Sequence, residues 1–358
     1  MKKIDRHIEK SVLASMLVVM ALTTSVDLVF SLADELGNTD ENYTSVEALY
    51  FVLRTTPTAI YELLPFTALG GALIGLGILA SNNELVIVQT AGVNTWRVVW
   101  SAMKPTLLVM LLSLVLGEYV APTLEQQAQS DKAVLRSGEQ AIGAGTGTWQ
   151  RIGNEYIHIN AIIPGGQELI GVTRYQLDDE RRLVSSSFAA NGQFVATADG
   201  GYWQLFDVVE TQFATSQITT QSYLQFDWNA DLSPQLLSVL LVEPQRQSIS
   251  GLYQFASYFQ GEGLEADNYF LAFWKKLLQP VSTAALVLLA ISFVFGPLRE
   301  ATMGFRIFVA IAIGLGFTIV QRLLEPASLL YGFSPILAVL FPVFVCLVLG
   351  GFLMQRVR

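Results

Sequence analysis

Charged side chains inside or beside long apolar runs are the residues of this chain best placed to do chemistry. Asp27, Glu62, Glu118 and Arg322 all stand in such positions. A charge at the centre of a bilayer costs about 3 kcal/mol on insertion scales, so each requires a partner, a water-filled cavity or a route to the interface. Most of these side chains can extend to the membrane–water interface, which accounts for their positions. Asp27 lies two-thirds of the way along its run, which favours contact with a partner subunit or a water-filled cavity.

Three bases near the ends of apolar runs are candidate ligands for an anionic lipid headgroup. Lys132 and Arg136 are four residues apart and would share one face of a helix just after the third run. Arg54 lies just before the second run. Ammonium and guanidinium groups pair well with phosphate, but solvated surface charge explains the three residues equally well.

Motifs of a self-contained enzyme are missing from the sequence. There is no GxxxxGK[ST], no HExxH and no GxSxG. No second His, Cys or carboxylate stands at ligand spacing from His158, so no metal site is predicted. We therefore expect no cofactor bound by this chain, and energy for any transport would come from a gradient or a partner. A lipid-modifying enzyme using Glu62 or Asp27 is disfavoured because no nucleophile or metal site accompanies them.

Six apolar stretches must position these residues, and each is close to the roughly twenty residues that cross a bilayer as a helix. They run at about 11–33, 57–80, 99–121, 277–295, 307–324 and 335–354. Of the 358 residues, 52% are hydrophobic and 14% are charged, against about 25% charged in a typical soluble domain. The sequence predicts a polytopic α-helical membrane protein with six transmembrane helices, three in 1–121 and three in 268–358.

The polar segment 122–267 between the third and fourth stretches predicts an inserted all-β domain. Short alternating runs are broken by turn signals at roughly ten-residue spacing, which is typical of an antiparallel sandwich or jelly roll. Asn191-Gly192 predicts a hairpin turn because both positions accept positive φ. The domain is either a protein-binding spacer or a groove for an apolar ligand, and His158 lies in one of its predicted strands.

Charge asymmetry predicts the orientation of the spans. The inner bases are Lys2, Lys3, Arg6, Lys10, Arg97, Lys104, Arg299, Arg306, Arg356 and Arg358. The segment 122–267 holds seventeen acids against seven bases. Both termini are therefore expected in the cytoplasm and the β domain outside, while Lys275 and Lys276 are expected to snorkel to the outer interface. An acidic chain without a basic cluster is a poor nucleic-acid binder.

The loop after the second stretch predicts a short amphipathic helix at about 82–96. Ser81, Asn82 or Asn83 would cap it, and Glu84 would lie in its positive first turn. Leu85, Val88 and Ala91 would form its apolar face. Gly92 would end the helix. Docking into a groove on a soluble partner and lying on the lipid surface are both compatible with this pattern.

The fifth stretch carries a candidate lipid-facing wall. Gly314 permits close helix approach, and the apolar candidates are Leu315, Phe317 and Ile319. Ordinary packing in the helix bundle is the alternative explanation for these three side chains.

Several motifs resemble the permease family of the lipopolysaccharide-export ABC transporter, the LptF/LptG family. They are GGALIGLGILASNNELVIVQTAG at 70–92, GEYVAP at 117–122, SISGL at 248–252, FVFGPLR at 293–299 and YGFSP at 331–335. The resemblance runs through the whole chain in order and favours the G type.

The resemblance implies a permease of the bacterial inner membrane that pairs with a paralogous F-type permease. Each would bind a cytoplasmic ATPase dimer, which holds ATP and Mg, through the short helix, where Glu84 matches the coupling glutamate. The jelly-roll domain would contact a periplasmic bridge protein, and a single-span partner would insert against the first span. The substrate would be lipopolysaccharide, with Lys132 near its phosphates. One departure is that 31–41 contains no base, where G-type relatives often carry lysines.

Two other functions remain open from the sequence. A membrane scaffold whose β domain binds proteins would show no stimulation of a partner ATPase by lipid. A lipoprotein-release permease is a related transporter, but that class usually has four spans rather than six.

Overall fold

The computed structural model describes residues 2–40, 42–136, 148–163, 166–178, 180–197, 201–213, 217–230, 234, 237, 243–261, 266–298 and 301–356. The bases Arg299 and Arg358 lie outside these ranges. The chain divides into two compact units. The first combines Met1–Phe30, Thr56–Pro122 and Gln247–Arg358, and the second combines Ser31–Thr55 with Thr123–Arg246.

The helices extend well beyond the apolar stretches that predict them. They are α1 Lys2–Leu36, α2 Ser45–Ser81, α3 Glu84–Thr90, α4 Thr95–Val115, α5 Ala121–Arg136, α6 Ile249–Gly261, α7 Asp267–Phe295, α8 Met303–Tyr331 and α9 Pro335–Arg356. Within the described ranges, six helical segments are long and apolar enough to cross a membrane. The predicted six-span α-helical architecture is confirmed, and polar turns continue most of the spans because a helix satisfies its own backbone outside lipid as well as inside.

The second span is the centre of the first unit. In the most apolar 18-residue stretch of α2, 72% of the residues are buried, against 17% in that of α1 and 22% in that of α8. Glycines bring α1 against it: a Cβ on Gly71 would lie 2.4 Å from the Cα of Met16, and one on Gly75 would lie 2.8 Å from the Cα of Val12. Small residues at such a contact let two membrane helices approach to backbone contact.

A single turn of π-helix, Leu116–Val120, joins α4 to α5 and keeps the third span continuous. Gly117 in this turn faces the ring of Tyr61, and a Cβ there would lie 2.4 Å from the ring atom Cε2. Glu118 in the same turn accepts hydrogen bonds from the backbone N–H groups of Ile249 at 2.7 Å and Ser250 at 3.2 Å. The carboxylate therefore stabilises the start of α6, where backbone donors are otherwise free.

The two lysines at the start of the fourth span differ in their surroundings. Lys275 Nζ lies 2.8 Å from Glu325 Oε1. Lys276 is only 6% exposed; its Nζ donates to the carbonyl of Gln247 and lies 5.2 Å from the centroid of the Tyr61 ring. The prediction that Lys276 snorkels to the interface is therefore wrong, because an inward carbonyl and an aromatic face satisfy its ammonium group.

The second unit contains one six-stranded antiparallel sheet in sequential order. Its strands are β1 Thr148–Ile152, β2 Glu155–Ile162, β3 Glu168–Leu177, β4 Leu183–Val195, β5 Tyr202–Phe213 and β6 Ile218–Trp228. The predicted insertion of an antiparallel sheet between the helices is confirmed, and its described strands form a meander. The segment 122–267 is not all-β, however, because α5 and α6 occupy its two ends. One face carries an apolar core that includes Ile157, Ile159, Val172, Trp203 and Leu205.

The hairpin turn predicted at Asn191-Gly192 is wrong. β4 runs straight through both residues, and Asn191 pairs with Ile170 on one side and Phe206 on the other. Gly192 is needed for space rather than for a turn, because a Cβ on it would lie 2.8 Å from Leu205 Cδ2. His158 does lie in a strand, β2, as predicted.

Candidate functional site

The helix α3 between the second and third spans is shorter than the predicted 82–96. It covers Glu84–Thr90, because Gly92 turns the chain at φ 79 and Asn94 already caps the next helix, accepting from the N–H of Trp96 at 3.0 Å. Asn83 stands at the N-cap position in the left-handed conformation, and its side chain makes no capping bond. α3 is therefore positioned by its surroundings rather than by its own cap.

The apolar face predicted for α3 points partly into the protein. Leu85 is 5% exposed and belongs to the core of the first unit, and Val88 packs against that core. Ala91 and Gly92 are exposed, and Ile87 is 63% exposed. A seven-residue helix is unstable alone, so its apolar stripe is used to hold it in place. The surface left open to a partner is formed by Ile87, Thr90 and Ala91, rather than by Leu85 and Val88.

Glu84 at the start of α3 pairs with the first helix. Its Oε2 lies 2.8 Å from Nε2 of His7, and Asn82 Nδ2 donates to its other oxygen at 3.4 Å. The side chains of His7 and Glu84 are 61% and 38% exposed, and contacts between exposed polar side chains contribute at most about 1 kcal/mol. The contact therefore orients the Glu84 carboxylate more than it stabilises the fold.

Two ion pairs join the first turns of α1 to α4. Arg97 donates to both carboxylate oxygens of Asp5, at 3.0 and 2.7 Å, and Lys104 Nζ donates to Glu9 Oε1 at 2.6 Å. Together with the contact between His7 and Glu84, these pairs tie the start of α1 to the short helix and to α4. Sequence reasoning missed them, although Asp5 and Glu9 are conspicuous as acids in an otherwise basic segment.

A second charged cluster lies in the other unit, at the ends of α1, α2 and α5. Lys132 Nζ lies 2.5 Å from Glu35 Oε1 and 4.5 Å from the centroid of the Phe51 ring. The Tyr43 hydroxyl donates to the same Glu35 oxygen at 2.8 Å. Arg54 pairs with Asp131. Lys132, Arg54 and Asp131 line a cavity of about 180 Å³ that opens to solvent.

Two of the three cations predicted to bind a headgroup, Lys132 and Arg54, thus already have carboxylate partners in this structure. Glu35 comes from the base-free stretch 31–41, so the acid found there balances Lys132. Arg136 is the last residue of α5, and its side chain lies outside the described part of the chain.

The candidate wall on α8 separates into two faces. Leu315 is 58% exposed and Ile319 is 49% exposed, and Arg322 is also exposed. Ile319 and Arg322 lie four and seven positions after Leu315, so the three residues share one helix face. Phe317 is 6% exposed and lies in the core; its prediction as a wall residue is wrong because two positions along a helix is a rotation of about 200°. Asp27 is half-buried in α1.

Comparison with known proteins finds similarity along nearly the whole chain. Residues 6–356 match the family described as "Lipopolysaccharide export system permease LptF/LptG". The chain belongs to the LptF/LptG family. It is 33% identical over 341 residues to the lipopolysaccharide export system permease protein LptG of Escherichia coli strain K12, covering 95% of this chain and 94% of that protein.

The LptG protein of Haemophilus influenzae is 30% identical over 356 residues, which covers 99% of each chain. These relatives agree with the G-type character suggested by the motifs. The chain is thus a permease of a lipopolysaccharide export system and, with its six apolar helices, a protein of the inner membrane. LptF/LptG membership also makes it a transporter component, consistent with the missing enzyme motifs.

Proposed function

We propose that this permease pairs with a paralogous F-type permease, takes lipopolysaccharide from the outer leaflet of the inner membrane and passes it to a periplasmic bridge protein. A separate cytoplasmic ATPase dimer supplies the energy, and this chain binds neither ATP nor Mg²⁺. In this topology both termini are cytoplasmic and the β domain is periplasmic. The observation that carries the proposal is α3, a short helix held between two spans with an open apolar face.

The open face of α3 fits a groove on the ATPase. Ile87, with 63% of its surface exposed, would enter the groove, and Glu84 and Ala91 would lie at its margins. Leu85 and Val88 fix the helix to the core of the first unit. A rotation of the docked ATPase would therefore move packed helices rather than bend a free loop. The ion pairs of Asp5 and Glu9 and the His7–Glu84 contact would pass the same movement to α1.

The exposed apolar stripes of α1 and α8 support a cavity shared with a second permease. On α1 the stripe includes Val18, Leu22, Val26 and Val29, and on α8 it includes Ile311, Leu315, Ile319 and Leu323, each at least 49% exposed. Half-buried Asp27 and exposed Arg322 would face the same cavity. Extracting acyl chains from the bilayer costs about 0.8 kcal/mol per CH₂, which is a physical reason for coupling to ATP hydrolysis. The open surface of α1 also suits a single-span partner.

The charged cluster formed by Lys132, Glu35, Arg54 and Asp131 would receive the phosphates of the lipid. A phosphate entering the 180 Å³ cavity would replace Glu35 as the partner of Lys132 and Asp131 as the partner of Arg54. Both exchanges trade one charge-assisted hydrogen bond for another, so phosphate binding and release would be reversible.

The last strand of the sheet suits contact with a bridge protein. In the described sheet β6 pairs with β5 alone, and it carries Leu224 at 87% exposure and Ile218 at 67%. A strand at a sheet edge offers backbone groups to which a strand of another protein can add. The neighbouring protein would extend this sheet and continue the path of the lipid.

The test is an ATPase and lipid-release assay on the complex co-purified with this chain. We expect a bound ATPase that lipopolysaccharide stimulates, and lipopolysaccharide by mass spectrometry. Glu84→Ala should detach or uncouple the ATPase while the permease still inserts, and Lys10→Ala, which removes an exposed charge of α1, should change neither. The proposal would be refuted if the chain purified alone. It would also be refuted if lipid did not stimulate the bound ATPase, which is the result expected of a membrane scaffold.

A further inference from the structure

Arg306 is a buried cation in the first turns of α8. Its side chain is 1% exposed, although arginine is seldom buried to this degree. Burying a guanidinium is costly unless hydrogen bonds replace the lost water, so the groups that it contacts show what it is for.

The contacts of Arg306 run in two directions. Its Nε donates to the carbonyl oxygen of Leu298 at 3.2 Å, in the connection between α7 and α8. Its Nη1 donates to the carbonyl oxygen of Gly77 and, at 2.9 Å, to the hydroxyl of Ser81. Gly77 and Ser81 form the last turn of α2, and Ser81 is three residues before Glu84. The guanidinium thus joins the start of α8 to the end of α2, the helix that directly precedes α3.

The end of α2 is chemically suited to hold this cation. The last carbonyls of a helix have no partner within the helix, and the macrodipole gives them partial negative charge. The Ser81 hydroxyl also donates to the Gly77 carbonyl at 2.9 Å, so the three groups form one network. Gly77 leaves room for it: an added Cβ would lie 3.0 Å from both Cδ and Nη1 of Arg306.

We propose that Arg306 is a positioning residue that transmits movement of α3 to α8. The inference rests on the proposed function, since it concerns how ATP hydrolysis reaches the lipid cavity. A shift of α3 displaces the last turn of α2, and the Arg306 network carries that displacement to the start of α8. The exposed face of that helix, with Leu315 and Ile319, then moves against the lipid.

Lysine cannot replace arginine in this role. A guanidinium has donors that point in fixed, different directions, whereas the ammonium group is a single compact centre. In Arg306→Lys the charge would remain near the α2 terminus, but the links to Leu298 and to Gly77 would not both be made. A role in charge balance alone would tolerate this substitution, and a role in transmission would not.

The test measures lipopolysaccharide released per ATP hydrolysed by the complete complex in vesicles. For Arg306→Lys and Arg306→Gln we expect assembly and ATP hydrolysis within about twofold of wild type. Release per ATP should fall about tenfold, the change expected on losing one hydrogen bond to a charged group. The control is Ser328→Ala, because this buried hydroxyl of α8 donates to the backbone carbonyl of Glu325 in its own helix at 2.8 Å. Its release per ATP should match wild type.

Other results would overturn the inference. Equal losses of hydrolysis and release, or loss of assembly, in Arg306→Lys would assign Arg306 to folding alone, and an unchanged ratio would remove it from transmission. Ser81→Ala keeps Arg306 and deletes one acceptor, so the ratio should fall several-fold even if the arginine variants fail to fold. A wild-type complex that does not couple ATP to release would refute the proposed function instead, which separates the two failures.

Discussion

Replacing Gly71 by alanine should loosen the packing of α1 on α2. The added Cβ would lie 2.4 Å from the Cα of Met16 and 2.7 Å from its backbone nitrogen. Carbon atoms in contact prefer about 3.5–4.0 Å, so the two backbones must separate by about 1 Å or more. Overpacking of this kind costs about 1–3 kcal/mol. The Met16 side-chain atom Cγ, at 2.6 Å, can rotate away, but the two backbone atoms of Met16 can move only with the helix.

Gly316→Ala in α8 is the matched control. Nothing lies within 4 Å of a Cβ at that position, so the same substitution should stabilise the helix by about 0.5–1 kcal/mol. The assay is thermal unfolding of the purified chain in detergent. We expect the midpoint to fall for Gly71→Ala and to stay level or rise for Gly316→Ala. Equal shifts for the two variants would contradict the close packing of α1 against α2.

Two further predictions concern the second unit. Glu35→Gln should free the ammonium of Lys132, which lies 2.5 Å from that carboxylate, and raise the affinity for lipopolysaccharide several-fold in a binding assay. The exposed neighbour Asp34, as Asp34→Asn, removes the same charge and should leave the affinity nearly unchanged; equal effects would point to net charge alone. Burial lowers the pKa of His158, and a hydrogen bond to Asn160 offsets part of this. Because the unfolded chain then binds the proton more readily, the β domain should lose stability as the pH falls below about 6.5. Hydrogen-exchange measurements on β2 should show this loss of stability with falling pH, and His158→Gln should remove it. An unchanged pH dependence in that variant would exclude His158 as its cause.

The spans and the β insert could be predicted because each depends on local pattern. Twenty apolar residues have one stable arrangement in lipid, so the six runs led directly to six helices. The alternation in 147–228 likewise predicted strands, since a sheet with one buried face imposes that period. Gly92 could be placed after α3 because glycine accepts the φ of 79 found there.

The sites depend on contacts between distant residues, and sequence alone could not supply them. His7 and Glu84 are 77 positions apart, and Arg306 and Gly77 are 229 apart. A basic residue near the membrane surface predicts snorkelling equally well for Lys275 and Lys276, yet only the surrounding helices decide that Lys276 turns inward. Asn191-Gly192 shows the same limit, because the glycine serves a close contact with Leu205 that lies on another strand.

The faces of short helices were the other point at which sequence reasoning failed. An apolar stripe such as Leu85 and Val88 suits a partner and the protein's own core equally well. The structure assigns those two side chains to the core and leaves Ile87 outside. For α8, helix geometry alone would have separated Phe317 from Leu315 and Ile319.

Site-specific photo-cross-linking on α3 tests the central claim most directly. A photoreactive side chain is placed at Ile87 or at Leu85, and the membranes that carry the whole complex are irradiated. We predict a cross-link from position 87 to the ATPase, and from position 85 only links within the permease. A link to the ATPase from position 85 but not from 87, or from neither, would contradict coupling through the open face of α3.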